Sequence, residues 1–525
     1  MTPSEDKMKK LLLIASLLLA SWTMAQQVEP VRYEVNRWNK EQGFHFQSFD
    51  EKGGLVVYET EKTDKQKHSL WNFTCLDTSL YETRSDLIPL PEKLKFVDAG
   101  SDSRYAAFLF ANENNKKASD TLDFLVVSFD RKENSYKTFW DKWPEKSVPL
   151  SVEVADGTML MALNNRSGNG ALYFYDLTSD DRRVVTPSSS SFVLFQTEAF
   201  RREHCFVVAS KEFDNKRFVS TSFLVYSTNG NLQGSYRYEN MPRAALGRMV
   251  FRFDGGGNLI VIGTLERETG KKVKLEGITD NFDKESIGVV WMRFASGSPD
   301  SKVYLFKDMP EIEHALTASD RVRLREEKLR ISKNKKSSKG EIAFQFMEPR
   351  LTDFGSLTVF AAEAFMPCYH TETRMSYGYY GYYGGYPYTY TVFDGYDFFS
   401  EVLLAFDQDG HLQWQQSVKF DNELTTDLWP HAAEGVCYDE LVVVSPYRNS
   451  LRYTAFDVNG QALMNQQSEK MDPIHGADYV EDEYFCQIAK WYDKRFLLFG
   501  SQIIQNSTQP KPRRTVYYLQ KVQYD

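Results

Sequence analysis

The side chains best suited to chemistry in this 525-residue chain are its carboxylates, among 72 acidic residues, and its 30 tyrosines. Two carboxyl groups suffice to cleave a glycosidic bond when they sit about 5 to 9.5 Å apart across it, one donating a proton and the other acting as base or nucleophile. The densest acidic group is Asp478, Glu481, Asp482 and Glu483. It reads as a loop decoration, and spacing alone does not select which acids converge on a pocket. The eight histidines show no His-Glu-x-x-His spacing, so no metal site is expected. Cys368-Tyr-His370 offers two ligands and no third. Asp407-Gln-Asp-Gly410 places its glycine fourth, where a calcium loop needs it sixth, and reads as a hairpin turn. Phe253–Asn258 is glycine-rich, but no Lys-Ser/Thr follows, so it too reads as a turn rather than a phosphate cradle. A Gly-x-Ser-x-Gly elbow is absent from the sequence. No cofactor is expected.

Tyrosine is concentrated in one place. Tyr377, Tyr379, Tyr380, Tyr382, Tyr383, Tyr386, Tyr388 and Tyr390 fall within fourteen residues, interleaved with glycine. A phenol ring presents a flat apolar face and a hydroxyl at low entropic cost, and glycine lets the backbone adapt to a surface. These eight residues are the candidate ligand-binding set, with a glycan or an envelope protein as the partner; the competing reading is a self-packed low-complexity loop.

Such side chains need a scaffold, and the scaffold repeats. An apolar strand, a polar turn and a second strand recur at Phe223–Gly234, Leu403–Trp414 and Tyr453–Met464, each with Asn-Gly or Asp-Gly after the first strand. Those pairs tolerate positive φ and reverse the chain into a hairpin. A preceding apolar strand recurs eight times: Leu55–Tyr58, Tyr105–Phe110, Met159–Ala162, Cys205–Val208, Leu259–Ile262, Leu357–Phe360, Leu441–Val444 and Phe496–Phe499. Continuous apolar runs suit strands covered on both faces. Turn positions Asp77, Asp130, Asp176 and Thr228 are spaced by 53, 46 and 52 residues, and Asp407 and Asp457 by 50. That period fits a four-stranded blade with its loops. The expected fold is therefore all-β, a β-propeller with eight blades favoured over seven, its circle latched by a strand from Val28–Trp38. Two separate β domains are the alternative.

Leu403–Trp414, with an apolar strand, Asp407, the Gly410 turn and Trp414, resembles the quinoprotein-type propeller repeat. Most other copies lack the tryptophan, so the resemblance implies sheet geometry and not quinone binding. The chain as a whole is similar to secreted propeller-like proteins of Gram-negative bacteria, which implies architecture and compartment but no activity.

Bulk properties bound the rest. Lys9 and Lys10, the apolar run Leu11–Ala20 and small residues up to Ala25 read as a secretory signal peptide over 1–25. The run is too short to span a bilayer, and Cys75 is the first cysteine, so an exported, periplasmic or extracellular protein without a lipid anchor or membrane span is expected. A net charge of −9 argues against a nucleic-acid partner. Five cysteines are too few for a disulfide framework; a Cys437–Cys486 bond is conceivable, but buried thiols are favoured. Residues 26–525 are read as a single propeller with insertions at about 308–340 and 366–398. The first would carry a short helix from Ser319 to Arg330, then a flexible linker at 334–340. The leading functional reading is a non-enzymatic binding scaffold. The runner-up is a carbohydrate-active hydrolase or lyase with carboxylates in the central pocket, and a purely structural envelope component is third.

Overall fold

The computed structural model describes residues 32–524 except 38–42, 113–120, 145–146, 166–169, 180, 188–191, 215–216, 240–243, 268–285, 296–298, 310–311, 313–344, 348, 377–385, 449, 472–476 and 509–511. The expected signal peptide and most of the first insertion, its helix included, lie outside the described residues.

The described chain is all-β and forms eight antiparallel sheets. Sheets one to seven occupy residues 44–90, 94–144, 147–185, 192–239, 244–305, 345–425 and 433–470, with strands laid down in sequence order. The eighth takes three strands from 479–523, and its fourth is the N-terminal strand Arg32–Asn36, paired with Arg513–Gln523 from Arg32 opposite Gln520 to Asn36 opposite Val516. The two ends of the chain thus share one sheet. In the sixth sheet the innermost place is divided between Gln345–Phe346 and Arg350–Phe354. Helical structure in the described residues amounts to short turns such as Asp50–Lys52 and Phe306–Asp308.

A lone sheet with two apolar faces must cover both. Each sheet does so with its neighbours. Phe73 and Trp71 of the first pack with Phe108 and Phe110 of the second. One shared cluster joins every following pair, and Leu497 and Leu519 of the eighth sheet close on Val56 and Leu76 of the first. This is the packing of a β-propeller, whose blades leave only short, protected edges.

A second device ties the outer rims. An aspartate opens the hairpin between the third and fourth strands and caps it: Asp77 accepts from the Ser79 and Tyr81 amides, Asp407 from Asp409 and His411, Asp457 from Asn459 and Gln461. The preceding sheet then donates to that turn. Arg183 reaches the Asn229 carbonyl at 3.1 Å, Tyr304 reaches Gly410 at 2.6 Å, and Trp414 reaches Val458 at 3.0 Å. Lys521 of the eighth sheet reaches Thr78 of the first at 2.9 Å, repeating the contact across the closure.

None of the five cysteines forms a disulfide. Cys437 and Cys486 share a buried cluster but no bond, so they pack as small apolar groups. The expected acidic loop is instead largely a strand. Glu481, Asp482 and Glu483 belong to Tyr479–Lys490, the innermost strand of the eighth sheet, and Asp478 directly precedes it. Asp478 pairs with Arg514 at 2.8 Å and Glu481 with Arg513 at 2.8 Å. Glu483 is half-buried against Gln502 and Tyr518, and desolvation holds its carboxyl above the usual glutamate range.

Candidate functional site

The innermost strands of successive sheets converge on one cavity of about 530 Å³. Glu153 comes from the third sheet, Gln196, Thr197 and Glu198 from the fourth, Arg252 from the fifth, and Arg350 and Asp353 from the sixth. Pro430 precedes the innermost strand of the seventh. A smaller cavity of about 250 Å³ shares Glu153, Gln196 and Thr197 and adds Ser151 and Arg248. Together they form the polar lining of the propeller's axis, at a size typical of small-molecule sites. Arg201 of the fourth sheet reaches Asp50 of the first at 2.6 Å and the Ser101 carbonyl of the second at 2.7 Å, a chord across the same end of the ring.

The lining is held by hydrogen bonds between sheets. The Gln196 side chain brackets Met249, donating to its carbonyl at 2.5 Å and accepting from its amide at 3.2 Å. Thr197 bonds Ser151 at 2.5 Å and donates to Glu153 at 3.3 Å. Arg252 pairs with Asp353 at 2.6 Å and also contacts Thr358.

Behind the wall lies a buried ionic cluster centred on Arg350. Its guanidinium reaches Glu363 at 3.3 Å, Glu401 at 2.7 Å and Glu434 at 2.9 Å. Three carboxylates around one cation cannot all remain charged cheaply in a low dielectric. Burial and the neighbouring carboxylates hold Glu401 well above the ordinary glutamate range. Burial also acts on Glu363, but His431 and Arg350 outweigh it and hold that carboxyl below the ordinary range. The amides of His431 and Ala432 donate to Glu363 at 2.8 and 3.0 Å, fastening the sixth sheet to the seventh. Arg350 itself meets the cavity, so this cluster fixes one wall of the site.

None of these four residues was singled out in the sequence. Their separation hid them, since the ion pair from Arg350 to Glu434 spans 84 positions. One signal was present: Glu363, Glu401 and Glu434 each interrupt an apolar strand, where a carboxylate needs a partner.

The tyrosine-rich candidates fall elsewhere. The second insertion is largely not a loop but the continuation of two long strands, Leu357–Ser376 and Tyr386–Phe406. Tyr386 and Tyr388 stand in register with Ser376 and Arg374. Tyr390 sits under Arg374, 5.0 Å from guanidinium carbon to ring centre, and its hydroxyl contacts Glu372. Tyr377, Tyr379, Tyr380, Tyr382 and Tyr383 lie outside the described residues. His370 pairs with Asp394 and Glu372, and no group of three metal-ligating side chains occurs among the described residues. No described helix is long and apolar enough to cross a membrane.

No protein-family profile matches the chain, and no curated protein is similar to it in sequence. Solved structures do resemble it. The β-propeller domain of the Trilobed protease from Pyrococcus furiosus aligns over 83% of this chain and 96% of its own, at 7% identity and a TM-score of 0.35. A prolyl endopeptidase aligns over 97% and 59% at 12% identity and 0.36, and the acylaminoacyl peptidase of Pyrococcus horikoshii over 80% and 52% at 8% and 0.34. The chain thus spans little more than half the length of these two peptidases. All three neighbours are named as proteases or peptidases, not as the non-enzymatic scaffold expected from the sequence.

Proposed function

We propose that this chain is an exported enzyme built as one closed ring of eight blades, and that it cleaves carbohydrate in the axial cavity. The observation that carries the reading is the meeting of Glu153, Glu198 and Asp353, from three different sheets, around one 530 Å³ cavity. Carboxylates gathered on a rigid ring are what glycosidic cleavage requires, and Gln196, Thr197 and the arginines supply hydrogen bonds for hydroxyl groups. Glu153 and Glu198, on the innermost strands of adjacent sheets, are the proposed acid–base pair, and Asp353, paired with Arg252, has a positioning role. Thr197, bonded to Glu153, sets the orientation of that carboxyl.

The test is product release from a panel of neutral polysaccharides and oligosaccharides, with a peptide panel beside it. Glu153→Gln and Glu198→Gln should each lower turnover about 100-fold or more while the protein stays folded, the loss expected when a positioned acid or base is removed. Wild-type turnover in both variants, or cleavage of peptides alone, would overturn the reading.

A further inference from the structure

The two long strands of the sixth sheet run beyond its other members. Residues 369–376 pair only with 386–393, so the sheet continues as a two-stranded arm. Side chains alternate between its faces. The cross-strand pairs Tyr369–Phe393, Thr371–Thr391 and Thr373–Thr389 share one face. All six are exposed, with Tyr369 at 58% and Phe393 at 42%. The Tyr369 and Phe393 rings lie 5.5 Å apart, Phe393 lies 4.9 Å from Tyr396, and Tyr396 lies 5.5 Å from buried Phe365. The exposed aromatic pair is therefore anchored in the core. The Thr373 and Thr389 hydroxyls stand 3.4 Å apart.

The arm separates charge by face. His370, Glu372 and Arg374 alternate with this set and satisfy one another on the opposite side, where Tyr390 joins them. What faces solvent here is an uncharged platform of two rings and four threonine hydroxyls.

We propose that this platform is a second, non-catalytic binding site for an uncharged polysaccharide chain. Charge complementarity selects the occupant. A nucleic acid or an anionic membrane requires cations, and the arm's cations lie on the other face, already paired. A protein strand would add to the arm's open edges rather than to its face. A neutral sugar chain presents CH faces that stack on aromatic rings and hydroxyls that exchange bonds with threonine Oγ atoms. The arm leaves the sheet where its second and third strands are joined. Glu153, Glu198, Arg252 and Asp353 lie toward the turns joining first and second strands, at the other end of the blades. The platform is thus separate from the axial cavity and would hold a long substrate while the cavity acts on it. This inference rests on the carbohydrate reading.

The experiment measures retention of the full chain by insoluble cellulose, mannan and β-1,3-glucan, and separately turnover of soluble oligosaccharides. Tyr369→Ala/Phe393→Ala should lose retention at least 10-fold with oligosaccharide turnover unchanged. Thr371→Val/Thr391→Val, which keeps shape and removes two hydroxyls, should lose it in part. Glu198→Gln should bind as wild type and fail to turn over. Unchanged retention in both arm variants, or no retention of wild type by any of the three, overturns the platform while leaving cavity chemistry standing. Arm-dependent retention without any turnover supports the platform and removes the enzyme reading instead.

Discussion

Glu401 and Glu363 touch the same guanidinium yet are shifted in opposite directions, and that difference can be measured. A glutamate whose neutral form is favoured by burial loses little when it becomes glutamine. Glu401→Gln should therefore cost under about 1 kcal/mol at neutral pH. Arg350→Met strands buried carboxylates without their cation and should cost about 3–5 kcal/mol; denaturant unfolding of each variant reads both values. The pH dependence follows with opposite signs. Glu363, held low, contributes stability that is present above the ordinary glutamate range and is lost as pH falls through its folded value. Glu401, held high, contributes stability that is full below that range and is lost as pH rises toward its folded value. Glu401→Gln should remove the second slope and leave the first; a stability profile above the ordinary glutamate range that is unchanged by the substitution would contradict the assignment.

At the level of strands and turns, the glycines of the rim hairpins separate two costs. Gly410 and Gly460 both have φ of +77°, and a Cβ would stand 2.1 Å from the Trp291 ring and 2.7 Å from Trp414 respectively. Gly257 has nearly the same φ, +76°, with nothing within 4 Å. Gly257→Ala should cost about 1 kcal/mol for the backbone alone. Gly410→Ala should cost about 2–4 kcal/mol, because it also parts the fifth and sixth sheets. Thermal unfolding of the two variants checks the ranking, and equal losses would show that the tryptophan contact contributes nothing. These hairpins were legible in the sequence, since Asp-Gly and Asn-Gly act locally, and so were the eight apolar strands between them. The arm was not. Tyrosine and glycine between Tyr377 and Tyr390 read as a loop, but that segment's end and its flanks carry Thr371, Thr373, Thr389, Thr391 and Val392, whose β-branched chains suit strands. The acidic run at 478–483 misled for the converse reason: its partners Arg513 and Arg514 arrive from a strand some thirty residues later. The Arg350 cluster was still less visible, because no local pattern reports an ion pair between different sheets.

For the whole molecule, the decisive element is Arg32–Asn36. It completes the last sheet, where Arg32 lies 4.2 Å over the Tyr518 ring and donates to Gln502 at 2.8 Å. A chain begun at residue 43 should expose the outer edge of Arg513–Gln523, losing amide-exchange protection there first while sheets three to five keep theirs. A peptide of residues 28–38 added in trans should restore it; protection unaffected by truncation would mean that the eighth sheet closes the circle without its N-terminal strand.

The central claim is that the axis of this ring is where substrate binds and reacts. A crystal structure of Glu198→Gln, soaked with an oligosaccharide that the wild type cleaves, tests it most directly. The account predicts sugar density between Glu153 and position 198, within reach of Arg252 and Asp353. Density elsewhere, with the axial cavity empty, would contradict it.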